Sequence, residues 1–261
     1  MNLTPDFEPR IHGLDLSLFG AIDSQSDDGD KRSWLALQRM VRRWNESYVF
    51  LEIGSFLGGS IQPHLLDSRC RKIISIDKRP AEQPDLRGQW FQYENNSTAR
   101  MLANLRALAP AEVSKIVCFD SDARDIDPTH LPERPDLCFI DGEHTESAVV
   151  SDFEFCARVC SPRAILYFHD DWVIYPALSQ ILRTLRRQGR RFRAFKLHGS
   201  TFAIALGESA IPEDELIRKI AVDGRRFILR MRAYRLLKHS IPAPLLPIVR
   251  RLRRLLVGKV G

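Results

Sequence analysis

Five short apolar runs, separated by amphipathic stretches and each closing on an acidic residue or a turn, constrain this chain most. They are Tyr48–Ile53, Lys72–Asp77, Lys115–Asp120, Asp136–Asp141 and Ala164–Asp170. Helical spacing of apolar residues fills the intervals near 60–68, 98–108, 143–160 and 173–188. Strands alternating with helices need crossover connections, which lay the strands parallel and put helices on both faces of the sheet. Two further runs, Arg191–Leu197 and Thr201–Leu206, are joined by His198, Gly199 and Ser200. That link is too short for a crossover and suits an antiparallel hairpin. The expected fold is α/β: a doubly wound, mostly parallel, seven-stranded sheet with a terminal antiparallel hairpin.

Three regions follow from the pattern. Residues 1–45 are an acidic lead-in and a cap helix. Asp30 can start that helix, which would run over about 31–44 with Trp34, Leu37, Met40, Val41 and Trp44 at helical spacing. Residues 46–210 hold the sheet, and 211–261 are a basic helical extension. From 224 to 261 there are 11 Lys or Arg and no Asp or Glu, so 28 of the 39 basic residues remain to face 33 acidic ones in the body. A nucleic-acid binder carries its positive charge on the folded body, so no nucleic-acid partner is expected.

The extension has two parts. Helix is expected over 212–238, with a break at Gly224, packed on the body through Phe227, Ile228, Met231 and Tyr234. After the proline-rich link 241–247, Ile248, Val249, Leu252, Leu255 and Leu256 fall opposite four arginines. That pattern suits peripheral contact of 241–261 with an anionic membrane surface, or with a partner. No run of 18 apolar residues is present and Met1–Arg10 lacks the pattern of a secretion signal. Cys118, Cys138 and Cys156 lie within apolar patterns, as buried thiols of a reducing compartment do. The expected location is therefore cytoplasmic, peripheral at the inner membrane surface if the tail binds lipid. A monomer and a homo-oligomer both remain open.

The chemistry gathers at the strand ends. Glu52-Ile53-Gly54-Ser55-Phe56-Leu57-Gly58-Gly59-Ser60 is a glycine-rich bend between a strand and a helix, where backbone N–H groups can approach a ligand. A phosphate loop needs Lys after Gly59, where Ser60 stands, and a dinucleotide fingerprint needs glycine where Phe56 stands. S-adenosylmethionine, cationic at sulfur and ammonium, suits a carboxylate at Glu52 better than a pyrophosphate does. Asp77 ends the second strand, where a doubly wound sheet places an acid against a ribose. Asp120-Ser121-Asp122 ends the third strand and can flank an adenine, or simply turn the chain.

Asp136-Leu137-Cys138-Phe139-Ile140-Asp141-Gly142-Glu143-His144, taken with Glu52–Ser60 and Tyr167-Phe168-His169-Asp170, resembles the class I S-adenosylmethionine-dependent methyltransferases. The likeness is to the small-molecule O-methyltransferase group that includes macrocin O-methyltransferase-like and cephalosporin hydroxylase-like proteins. It covers about 48–206 and includes Asp152 on the helix after the Asp-Gly-x-His motif. Where that group has Pro-Gly-Gly before the fifth strand, this chain has Pro162-Arg163-Ala164, which implies altered packing.

The resemblance implies a Rossmann-like fold and methyl transfer from S-adenosylmethionine to a hydroxyl of a small molecule or glycan, with a sugar favoured. Glu52, Gly54, Ser55, Gly58, Ser60, Asp77, Ser121, Asp122 and Asp141 are the expected cofactor contacts. His144, Asp141 and Asp170 are the expected catalytic group. Two devices for activating a hydroxyl stay open. His144 can act as general base, its unperturbed pKa of about 6.5 suiting the role, although a cap or core hydrogen bond also explains it. Alternatively Asp141 and Asp170 can hold Mg²⁺ with His169 or Asp171. Methylation of a nucleic-acid amine calls for Asp/Asn-Pro-Pro-aromatic after the fourth strand, and Asp141–His144 stands there. A rival reading is a non-catalytic protein that keeps the cofactor fold and recruits partners at a membrane. The cap, with Trp34 and Trp44, is the expected place of acceptor selection, although ordinary core packing explains both tryptophans equally well.

Overall fold

The computed structural model describes residues 7–79, 82–84, 88, 90–207 and 214–240. The chain opens with α1 (Phe7–His12) and α2 (Asp28–Trp44), then enters β1 (Tyr48–Ile53), α3 (Gln62–Leu66) and β2 (Cys70–Ile76). A small antiparallel pair, β3 (Glu82–Pro84) and β4 (Trp90–Gln92), precedes α4 (Thr98–Leu108). Then come β5 (Ile116–Phe119), β6 (Leu137–Ile140), α5 (Glu146–Val159), β7 (Ile165–Phe168) and α6 (Asp171–Arg187). The hairpin β8 (Phe192–Lys196) and β9 (Phe202–Leu206) is followed by α7 (Glu215–Ile220), β10 (Val222–Asp223) and α8 (Gly224–Ser240).

The main sheet runs β10-β8-β9-β7-β6-β1-β2-β5. Its five strands from β7 to β5 are parallel, and β9, β8 and β10 are antiparallel to their neighbours. The sheet therefore has eight strands, not the seven expected. The extra one is β10, where Val222 and Asp223 pair with Lys196 and Phe195. A two-residue strand has no periodicity to read, and helical spacing on either side of it conceals it. The helix break thus begins before Gly224, whose added Cβ would meet the Ala194 backbone at 2.9 Å.

All six residues of β1 are buried, as in a parallel strand covered on both faces. Val49, Leu51 and Ile53 face the layer of α5, α6 and α8. Tyr48 and Phe50 face the layer of α1 to α4. Phe227, Ile228 and Met231 of α8 are buried and Tyr234 packs beside them. Arg163, where the resemblance has glycine, lies 5.8 Å from the ring of Trp44. Trp44, the last residue of α2, thus packs beside the turn that precedes β7. Among the described residues no helix is long and apolar enough to cross a membrane. Residues 241–261, where peripheral membrane contact is expected, lie outside the described residues.

Helix α2 begins three residues earlier than Asp30 would place it. Asp27 is the N-cap, accepting from the Asp30 N–H at 2.8 Å, and Asp30 returns the bond to the Asp27 N–H. The same Asp30 carboxylate also points inward, its Oδ2 lying 3.2 Å from His169 Nε2.

Candidate active site

The chain leaves β1 toward β2 and β5, and later crosses back to lay β6 on the other side of β1. At such a switch point the loops after the two strands diverge and open a crevice at their carboxyl ends. Here Gly54 follows β1 and Asp141 follows β6. Gly54 has φ +91°, and a Cβ on it would sit 2.2 Å from the Asp141 carbonyl oxygen. Only glycine permits this approach.

Two compartments meet at Gly54. One, a cleft of about 710 Å³ continuous with solvent, is lined by Asp23–Ser26, Trp34, Gly54–Leu57, Ser60, Phe91, Tyr93, Asp141, His144, His169 and Asp170. The other, about 380 Å³, is lined by Asp77, Lys78, Ser121, Asp122, Gly142, Glu143 and Asp152, among others.

The loop that divides them is held from below. The Phe56 N–H donates to Asp77 at 2.9 Å, with Phe56 at φ +43°. The other oxygen of Asp77 accepts the Arg79 N–H at 2.8 Å. Asp77 thus shapes the loop as well as lining the second compartment. Ser55 accepts from Ser75 at 2.8 Å, and Gly58, at φ +87°, lies against Leu105 and Met101. Ser121 and Asp122 reach the second compartment, while Asp122 also caps the next turn and accepts from Arg124. Buried Asp152 joins them there. Its burial, with the charge of Asp122, raises its pKa to about 7.

Glu52 departs from expectation. It is fully buried, it lines neither compartment, and burial pushes its pKa up to about 8. At neutral pH it is a neutral acid and not a standing negative charge. Ser60, which does line the cleft, donates to one Glu52 oxygen, and Oε2 has no hydrogen-bond partner among the described residues. Glu52 therefore bears on a ligand only through Ser60, or on ionising beside a cation.

The loops after β6 and β7 bring an alternating row of acids and imidazoles together. His144 Nε2 lies 3.3 Å from Asp141 and 3.8 Å from Asp170. His169 lies between Asp141, 3.3 Å from its Nδ1, and Asp30, 3.2 Å from its Nε2. Asp170 reaches His144 because its backbone is left-handed, φ +51°, at the start of α6. Aspartate is among the few residues that tolerate this conformation.

Burial opposes charge on both histidines and both outcomes go the other way. Desolvation lowers the pKa of His169, but Asp141 and Asp30 outweigh it and hold the ring protonated. His144 is likewise raised, against its burial, by Asp141 and Asp170. Burial works against ionised Asp141 too, yet the two imidazoles bring its pKa down to about 2.

The four residues expected as Mg²⁺ ligands do not form a ligand set. Asp171 points away from the cleft and is fully buried in an ion pair with Lys196 at 2.9 Å. Both nitrogens of His169 already face carboxylates. Among the described residues no group of three His, Cys, Asp or Glu side chains could hold a metal ion.

Asp30 and Lys196 are participants that no local pattern marks. Asp30 reads as one more acid in a helix start, and Lys196 as one more strand-end cation. Both act across the fold: Asp30 also accepts from the Ser200 N–H at 2.6 Å and from Thr201 Oγ1 at 3.1 Å. Trp34 donates to that same Thr201 hydroxyl at 3.0 Å.

Comparison with known proteins agrees with this geometry. Residues 51–170 match the family described as "Methyltransferase domain". No curated protein matches the chain. CalS11, a calicheamicin methyltransferase, is similar in structure with a TM-score of 0.53 at 14% identity, over 78% of this chain and 94% of that one. Cofactor-bound Rv0187 from MTB is similar with a TM-score of 0.50 at 14% identity, over 76% and 89%. At such identities the likeness is one of fold. Residues 51–170, among them Gly54 and Asp141 at the β1–β6 switch point, thus resemble a methyltransferase domain.

Proposed function

We propose that the chain is a class I methyltransferase that moves a methyl group from S-adenosylmethionine to a hydroxyl of a small molecule or glycan, with His144 as the general base. The observation that carries the reading is His144 in the cleft beside Gly54, backed by Asp141 and Asp170. Asp77, Ser121 and Asp122 are suited to the adenosine half, and Ser55, Ser60 and Asp141 to the methionine half. When bound, the cofactor supplies an electrophilic methyl carbon on a cationic sulfur, so the C–S bond breaks as the new C–O bond forms. The residues of the chain do the rest. Asp141 keeps a proton on Nε2 of His144, which leaves Nδ1 as the basic atom. A cation taken into the cleft offsets the two carboxylates and favours the neutral imidazole. Calorimetry with S-adenosylmethionine and its demethylated product tests the assignment directly. Binding of both, weakened by Asp77→Ala, is expected, and absence of binding would overturn it.

The acceptor wall favours a polyol. Asp23, Ser24, Gln25 and Ser26 line one side of the cleft and Phe91 and Tyr93 another. Polar groups paired with aromatic faces suit a sugar, whose edges hydrogen-bond and whose faces are apolar. Ser24 Oγ is buried without a hydrogen-bond partner among the described residues. Ser24→Ala removes an unsatisfied hydroxyl, so thermal stability should hold or rise slightly. In the same variant the KM for a sugar-type acceptor should rise up to about tenfold, the cost of one lost hydrogen bond. An unchanged KM would remove the serine from the acceptor site. Turnover should also survive EDTA, since the carboxylates are committed to the imidazoles and Lys196; restoration by added Mg²⁺ after loss in EDTA would contradict this.

A further inference from the structure

Away from the cleft, α6 and α8 lie side by side and leave two depressions between them. The two share Ser179, Arg183 and Arg232, and so form one groove. Its cations are gathered rather than scattered. Ser179 Oγ accepts from Arg183 at 3.0 Å and from Arg232 at 2.6 Å. Two guanidinium groups thus converge on one neutral oxygen. Arg186 and Arg225 line the next turn of the groove. The pKa of Arg186 is lowered, by burial and then by the charge of Arg225. Among the described residues no carboxylate ion-pairs with Arg183, Arg186, Arg225 or Arg232. The one acid lining the groove, Glu146, lies at the end occupied by Tyr175 and Arg235.

The same face of α8 carries leucines where solvent should select polar residues. Arg225, Leu229, Arg232 and Leu236 follow at intervals of four, three and four, so they share one stripe. Leu229 is 62% and Leu236 70% exposed. Phe227 and Met231, on the opposite side, are already buried in the core, and Ile228 is buried beside the groove. The helix is therefore apolar on two sides, the second of them exposed at Leu229 and Leu236. Arginines alone would suit any polyanion. Aliphatic side chains standing between them suit a surface that is anionic outside and hydrocarbon beneath. Residues 248–256, later in the chain, repeat the pairing of four arginines with five apolar residues.

We propose that the α6–α8 face is a docking surface for an anionic phospholipid membrane, Arg183, Arg186, Arg225 and Arg232 meeting the headgroup phosphates and Leu229 and Leu236 entering the acyl boundary. The surface is separate from the methyl-transfer cleft and does not depend on the acceptor.

The test is partition of the full chain onto vesicles of phosphatidylglycerol and of phosphatidylcholine. The wild type should prefer phosphatidylglycerol at least tenfold and lose that preference as salt rises. The triple variant Arg183→Gln, Arg225→Gln, Arg232→Gln should bind roughly a hundredfold more weakly, at about fivefold per arginine. The comparison is repeated in a chain whose Arg250, Arg251, Arg253 and Arg254 are glutamine, so that the groove is measured without the tail. Leu229→Ser with Leu236→Ser should also weaken binding, whereas the triple Arg→Lys variant should keep it within a few-fold. That rescue separates lost charge from lost fold. Equal partition of the triple glutamine variant and its parent in the tail-neutral chain would overturn the proposal. Equal binding to phosphatidylcholine would too, as would retardation of an oligonucleotide by a chain that ignores both vesicles.

Discussion

His144→Gln should lower kcat by about 10²–10⁴-fold, the usual worth of a positioned general base, while calorimetric affinity for S-adenosylmethionine stays within a few-fold. The glutamine fills the same space and can still meet Asp141, but it cannot take a proton. The pH profile supplies the sharper check. A base must be neutral to act, so kcat/KM should rise with pH through the pKa of His144. Asp141 and Asp170 raise that pKa above its ordinary 6.5, so the rising limb should lie above pH 6.5. Asp170→Asn removes one of the two stabilising charges, 3.8 Å away, and the limb should move to lower pH. A limb that does not move would separate His144 from proton transfer. Retained turnover in His144→Gln would do so outright.

The second large effect is structural. Lys196→Met should destabilise the protein by about 3–5 kcal/mol at pH 8, the cost of stranding a buried charge. For a chain of this size that corresponds to a fall in Tm of about 10 °C. The stranded group is Asp171, fully buried with its carboxylate 2.9 Å from the Lys196 ammonium. Burial raises the pKa of Asp171 to about 6 even with Lys196 present. A folded-state pKa above the unfolded one means that stability declines as pH rises from about 4 to 6, where the unfolded carboxyl ionises first. Without the lysine the folded pKa climbs further, so the decline should extend to higher pH. The variant should therefore sit close to wild type at pH 5 and far below it at pH 8. Lys196→Met with Asp171→Leu should recover most of the loss, since an apolar pair fills the space without a charge. A pH-independent loss would point to packing around Phe227 instead.

What is legible in the sequence follows from which interactions are local. Parallel strands buried on both faces must be continuous apolar runs, so Tyr48–Ile53 and its counterparts stand out from the order of residues alone. The Gly54 bend, and Asp141 and His144 in their loop, are legible for the same reason: each lies within a few residues of a strand end. What stays hidden is what the fold brings together over long separations. Asp30 meets His169 across 139 residues, and nothing near Asp30 distinguishes it from its acidic neighbours. Asp171 looks like a cation ligand because it adjoins Asp170. One residue along a helix start reverses the direction of a side chain, and Lys196 lies on that other side. Glu52 reads as a charge, and burial, which no local pattern reports, makes it neutral. The strand Val222–Asp223 is hidden because two residues carry no period.

The clasp of Asp30 on His169 bears on how acceptor preference can change. Helix α2 and the strand end that carries His169 are fastened by the Asp30 carboxylate, for which glycine at 199 leaves room, since a Cβ there would fall 2.4 Å from Asp30 Oδ1. Transplanting the first helices from a relative with a different acceptor would therefore disturb proton traffic as well as recognition, unless the graft brings an acid at the same place. Diversification is steered instead to residues 23–26, which touch the cleft and can be rewritten without loosening the joint.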